Sequence, residues 1–116
     1  MQLWTTTVAS PRTTARVARD REAAGWYGLL VVDSQNLSGD PYVALAMAAT
    51  ATTRLRLGTG VTNSVTRHAA VTACSIASVQ RLSGGRAVLG IGRPGEQPHA
   101  AIGLKTKLSI HVPGHG

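Results

Sequence analysis

An α/β fold of about four successive strand–helix units is what this sequence predicts, and three features predict it. Apolar runs of strand length, Leu29-Leu30-Val31-Val32 and Ala87-Val88-Leu89-Gly90-Ile91-Gly92, alternate with Ala-rich stretches that carry helix-start signals. The strand starts lie 26 positions apart from Leu29 to Leu55 and 32 apart from Leu55 to Ala87, room for a strand and a crossover helix each time. The composition agrees: 43% hydrophobic, 3% aromatic and without Phe, it suits small Ala faces packed on Val/Leu strands.

Taken in order, Gln2 to Val8 is a short first strand. Ser10-Pro11 then reads as N-cap plus proline at the first helical position. The helix is expected to run to about Ala24, burying Ala15, Val17, Ala18 and Ala24, and to stop at Gly25. Leu29 to Val32 is unbroken apolar, as in a parallel strand covered on both faces. It ends in Asp33-Ser34-Gln35-Asn36. Asp40-Pro41 repeats the capping signal for a second helix, Tyr42 to about Thr52. The third strand starts at Arg54, where Leu55 and Leu57 alternate with arginines, and runs into Gly58-Thr59-Gly60. A third helix covers roughly Ala69 to Leu82 and ends at Gly84-Gly85, and the fourth strand is Ala87 to Gly92. Residues 94–116, with Pro94, Pro98 and Pro113, are expected to be an irregular tail.

The spacing leaves two arrangements open, a doubly wound sheet or part of a β/α barrel. In both, chemistry gathers where strands end. Those ends are Asp33-Ser34, Gly60-Val61-Thr62-Asn63 and Gly90-Ile91-Gly92-Arg93. The last opens a G-x-G-x-x-G pattern to Gly95, but Pro94 and Pro98 disfavour the helix a dinucleotide site needs, and no acidic residue follows Glu96. Cys74 lies in an apolar stretch and reads as a buried small hydrophobe. His68 reads as a solvated or capping residue, and His99, His111 and His115 fall in the tail. No metal-binding spacing and no nucleophile elbow is present.

Twelve Lys and Arg against five Asp and Glu give a net charge of +7, which permits attraction to phosphates. Arg12, Arg16 and Arg19 line one helix face. The other arginines are scattered, and Trp4, Trp26, Tyr27 and Tyr42 do not interleave with them as stacking platforms would. A solvated face is therefore preferred to a nucleic-acid surface. The N-terminus lacks a signal-peptide pattern and no stretch is long and apolar enough for a membrane helix, so a cytoplasmic location is expected, in keeping with a lone cysteine.

Three segments carry a resemblance: GWYGLLVVDSQN, DPYVALAMAATATTRLRLGTGVTN and TRHAAVTACSIASVQRLSGGRAVLGIGR. Together they resemble the luciferase-like family of flavin- and deazaflavin-dependent oxidoreductases, especially members that use coenzyme F-420, such as methylenetetrahydromethanopterin reductase-like proteins. The resemblance implies a TIM-type β/α barrel of which residues 1–93 are the N-terminal half. It implies coenzyme F-420 or FMN as cofactor and a small organic substrate, reacting by hydride transfer or monooxygenation. It implies a non-prolyl cis peptide between Gly60 and Val61 under the cofactor ring, with Thr62 and Asn63 against the ring or its side chain. Asp33, beside Ser34, would take the pyrimidine edge, and Gly92 and Arg93 would lie nearby. The catalytic residues stay open, because Ser34 stands where many deazaflavin members carry His. The glycine–acid turn after the fourth strand is interrupted by Pro94. A complete barrel needs about 250 residues. A truncated or frame-disrupted product is therefore expected, resembling the family no further than about Lys105, weakly active or inactive alone, with uncovered sheet edges that invite self-association. The alternative reading is a non-catalytic basic α/β module for phosphate-rich ligands or nucleic acid.

Overall fold

The computed structural model describes residues 2–35, 37–92 and 109–111. Strand β1 (Trp4–Val8) leads through α1 (Thr14–Ala23) to β2 (Gly28–Val32), and α2 (Pro41–Ala51) leads to β3 (Arg56–Thr59) and the short β4 (Thr62–Asn63). Helix α3 (Ala69–Leu82), β5 (Ala87–Gly92) and β6 (Ser109–His111) follow. β1, β2, β3 and β5 pair side by side, all parallel. Strand order follows chain order without a reversal, so each right-handed crossover lays its helix on the same face. That is the winding of a β/α barrel, whereas a doubly wound sheet reverses at a switch point.

The residues explain the elements. Alternate positions of β2 and β3, Leu29, Val31 and Leu57, are buried against Ala44, Leu45 and Ala48 of α2, the middle helix. Helix α2 starts as its sequence indicates, with Asp40 Oδ2 accepting from the Tyr42 and Val43 amides at 3.0 Å each and Pro41 in the first turn. Helix α1 ends in a Schellman motif: Gly25, at φ +90, donates to the Glu22 carbonyl while Trp26 donates to that of Arg21.

The structure departs from the sequence reading at several places, β3 among them, which begins at Arg56 rather than Arg54. β1 begins at Trp4 rather than Gln2. Helix α1 begins at Thr14, not Pro11, because Ser10 and Thr14 close a turn first: the Ser10 amide donates to Thr14 Oγ1 at 2.9 Å and the Thr14 amide to the Ser10 carbonyl at 3.1 Å. Ala24, one residue past the helix, is turned outward by the Schellman motif and is exposed. Cys74 is exposed too. Thr72, Ile76 and Val79 form the buried face of α3, and two residues from Thr72 the helix has turned about 200° toward solvent. Within the stretch expected to be irregular, Ser109–His111 forms a strand antiparallel to β5, pairing Gly90 with Ile110.

Two side chains brace the end of the sheet where the strands begin. Arg86 donates from Nε to the Ser83 carbonyl (2.7 Å), from Nη1 to Thr52 Oγ1 and the Leu55 carbonyl (2.8 Å each), and from Nη2 to the carbonyls of Ala49 and Thr52 (3.0 Å each). It thereby ties the end of α2 to the start of β5. Burial draws its pKa down from the ordinary arginine value, with the charge of Glu22 opposing that. Glu22 accepts from the amides of Thr53 (3.0 Å), Arg54 (2.6 Å) and Leu55 (2.8 Å), anchoring the turn into β3. Burial raises the Glu22 pKa, but the three amides and the Arg54 charge outweigh it, and the net shift is downward. A depressed folded-state pKa gives stability that is present above the unfolded value, about 4.3, and is lost as pH falls through the folded one. Glu22→Gln should therefore cost about 1–2 kcal/mol at neutral pH and flatten the acid limb of the unfolding free energy followed by urea titration from pH 3 to 7.

Candidate cofactor site at the strand ends

At the opposite end of the strands β3 does not simply stop. Between the register pairs Gly58–Val88 and Thr62–Ile91 the β3–β4 side advances four residues while β5 advances three, so one extra residue bulges out. The peptide between Gly60 and Val61 in this bulge is cis. The main-chain groups of Gly90 that face the bulge are taken by a side chain. The buried Thr59 hydroxyl donates to the Gly90 carbonyl at 2.7 Å and accepts from the Gly90 amide at 3.0 Å.

Glycine is required here by contact. A Cβ at Gly60 would lie 2.7 Å from Leu30 Cβ, and one at Gly90 would collide with the Thr59 carbonyl oxygen. The bulge and the neighbouring Gly92 thus present a floor of backbone and the Val61 side chain, partly open to solvent, with no projecting group from Gly60 or Gly92. This is the shape a planar ring needs from below.

Beside the floor lies a charged cluster. Asp33 ends β2 with its side chain only 1% exposed, against 16% for Arg67. Arg67 Nη1 donates to Asp33 Oδ2 at 2.7 Å, and Nη2 donates to Asp40 Oδ1 at 2.8 Å and, more weakly, to Asp33 Oδ1 at 3.5 Å. Thr62 Oγ1 donates to Asp33 Oδ2 at 2.7 Å, and Gln35 Nε2 to Oδ1 at 2.7 Å. The hydrogen bond to Asp33, above all, raises the Arg67 pKa from its ordinary value, so the guanidinium is permanently charged. Its carbon lies 4.9 Å from the Tyr42 ring centroid, a cation–π contact. Burial raises the Tyr42 pKa. Thr62 and Thr72 are near enough to oppose that shift, yet among the described residues the Tyr42 hydroxyl has no partner of hydrogen-bond geometry. Thr62 gives its own proton to Asp33 and is left only as an acceptor toward Tyr42.

The site residues expected from the sequence fall into four groups. Asp33, Gly60, Val61, Thr62 and Gly92 surround the bulge. Ser34 starts a turn, its carbonyl accepting from the amides of Leu37 and Ser38, and helps line a groove of about 220 Å³ with Asp33, Asp40 and Arg67. Asn63 turns its amide oxygen back onto its own loop, to the amides of Val65 and Thr66 at 2.9 Å each and the Thr66 hydroxyl at 3.1 Å, leaving its amide nitrogen for a ligand. Arg93 lies outside the described residues. Asp33 is more enclosed than the sequence suggested, because three side chains already donate to its two oxygens. Arg67 went unrecognised. The available signal was a single cation in the loop after the bulge, with one acid, Asp33, just past β2 and another, Asp40, in the capping position of α2. His68 caps α3 through Nδ1, which accepts from the Ala70 amide at 3.1 Å. Among the described residues no group of His, Cys, Asp and Glu could hold a metal ion, and no helix is long and apolar enough to cross a membrane.

Comparison with known proteins extends this picture. The family model described as luciferase-like monooxygenase matches residues 2–107. The 5,10-methylenetetrahydromethanopterin reductase of Methanolobus tindarius is 47% identical over 83 residues, covering 72% of this chain and 25% of that protein. Its counterpart in Methanopyrus kandleri is 47% identical over 68 residues, 59% of this chain and 20% of that one. Among solved structures, the coenzyme F-420-dependent tetrahydromethanopterin reductase of Methanopyrus kandleri superposes with a TM-score of 0.76 at 30% identity, over 90% of this chain and 29% of that one. A 3,6-diketocamphane monooxygenase component from Pseudomonas putida, solved with FMN, shares the fold at TM-score 0.66 and 22% identity, over 77% of this chain and 25% of that one. The chain thus spans at most about a quarter of the length of these curated relatives.

Proposed function

Because the chain belongs to the luciferase-like monooxygenase family, we propose that its strand-end face binds the ring of coenzyme F-420 or FMN for an oxidoreductase reaction on a small organic substrate. The observation that carries this reading is the glycine-floored bulge between the Asp33–Arg67 cluster and Gly92. Bound there, the cofactor would supply hydride transfer or oxygen activation. The protein's part is to position and to shield. Val61 and the backbone of residues 60 and 92 would support the ring, and Thr62 is fixed in place by Asp33. Asn63 offers its amide nitrogen as a donor, and Ser34 a hydroxyl at the mouth of the groove. The fit is one of shape and hydrogen bonding. Both arms of the Arg67 guanidinium are already engaged, so the described residues supply no free cation at the floor for a cofactor phosphate. The same reading places the protein in the cytoplasm. It leaves the outer edge of β1 unpaired among the described strands, which favours association of copies through that edge.

A second reading rests on the exposed Arg16 and Arg19 of α1, with exposed Arg12 in the turn before it, and on the net charge of +7. It makes the chain a basic module for phosphate-rich partners. One titration separates the two. After size-exclusion chromatography fixes the oligomeric state, the protein is mixed with coenzyme F-420, FMN or a DNA oligonucleotide at 50 and 200 mM salt. Quenching of cofactor fluorescence, saturable and nearly independent of salt, is the expected result, with weak turnover or none. DNA binding that weakens steeply with salt, without a cofactor response, would replace the first reading by the second.

A further inference from the structure

We propose that Arg67 is a positioning residue that couples the start of α2 to the β3–β4 bulge, and so sets the geometry of the floor on which a ligand would rest. The ligand half of this inference rests on the cofactor reading above, while the coupling half stands on the protein alone. Three segments distant in sequence meet at one guanidinium: the end of β2 through Asp33, the first turn of α2 through Asp40 and Tyr42, and the bulge through Asp33 and Thr62.

The order of contacts gives the coupling a direction. Asp40 is the cap of α2, so its place is fixed by the helix. Its other oxygen, Oδ1, holds Arg67 Nη2, and the Tyr42 ring lies under the guanidinium plane. Arg67 Nη1 then shares Asp33 Oδ2 with Thr62 Oγ1, the first residue beyond the cis peptide. Without Arg67 the carboxylate of Asp33, buried to 1% exposure, would keep, among the described residues, Gln35 and Thr62 as side-chain donors and no positive partner. A charge in that position must turn toward water or draw water in, and Thr62 would move with it. A lysine would not substitute, because two carboxylates and an aromatic face call for a planar fork rather than a point charge.

The test uses the whole chain with Arg67→Gln, Arg67→Lys and Asp40→Asn. The last keeps a good helix cap while removing the charge that holds Nη2. The first measurement needs no cofactor: amide hydrogen exchange read residue by residue. Exchange should quicken roughly tenfold in Arg67→Gln at residues 33–35 and 60–66, and less in Asp40→Asn, with Leu29, Leu57 and the α1 amides unchanged. The second is titration with FMN and coenzyme F-420, in which the Arg67 variants should weaken binding about 10- to 100-fold, as loss of a supporting shell does. The absorption band of the bound ring should also shift. Faster exchange confined to residues 64–68, with the bulge unchanged, would overturn the coupling. Wild-type binding with unaltered affinity and band position in both Arg67 variants would overturn the ligand half. Wild-type failure to bind either cofactor would overturn the cofactor reading, and with it the ligand half, leaving the exchange result to decide the coupling. Should Arg67→Gln not fold, Arg67→Lys and Asp40→Asn carry the same comparison.

Discussion

Arg86→Ala is expected to lower the unfolding free energy by about 3–5 kcal/mol, a large fraction of the whole stability of an ordinary domain. Five hydrogen bonds leave at once, and four of their acceptors are main-chain carbonyls: Ala49, Thr52, Leu55 and Ser83. Two of these, Ala49 and Thr52, lie in the last turn and at the C-cap of α2, where no later amide of the helix reaches back to them. Alanine would supply no donor, and the partly buried setting limits replacement by water. Arg86→Lys retains the charge but not the fork, and should fall between the two. Urea unfolding monitored by circular dichroism gives the ranking. A midpoint for Arg86→Ala within error of wild type would show that these bonds exchange freely with water.

The second large effect is expected from a change that barely alters shape. Thr59→Val keeps the branched side chain and removes one hydroxyl, yet it should cost about 2–4 kcal/mol, because the Gly90 amide and carbonyl both lose their partner. The hydroxyl fills the gap that the extra residue leaves between the β3 and β4 registers with β5. Thr59→Ser keeps that bridge and loses only a methyl, at about 1 kcal/mol. The pair therefore separates hydrogen bonding from packing. Equal losses in the two variants, by urea titration, would mean that the Gly90 groups find other partners.

What the sequence made legible is local. Asp40-Pro41 identified the start of α2, and the Ala69–Leu82 periodicity with Gly84-Gly85 behind it identified α3, since caps and helical faces are set by neighbours a few residues away. The positions of Gly60 and Val61 came from the family pattern rather than from propensity. The spacing of strands left the winding open, and only their order in the sheet decided it. What could not be read are the pairings that span the chain. Arg67 meets Asp33 across 34 positions, Arg86 meets Ala49 across 37, and Glu22 meets Leu55 across 33. Nothing in the sequence near any of these residues specifies its partner. Cys74 was misplaced for a smaller reason: an apolar neighbourhood says little about which side of a helix a residue occupies.

The anchoring of the turn into β3 by Glu22 has a consequence for how this chain tolerates change. Glu22 and Arg86 act where the parallel strands begin, while Asp33, Arg67 and the bulge act where they end, so the two groups share no partner. Substitutions at one end should therefore add to those at the other in free energy, within a few tenths of a kcal/mol. Ligand-contacting residues could then be exchanged while robustness is restored elsewhere, as with a lock whose levers are recut without touching its case.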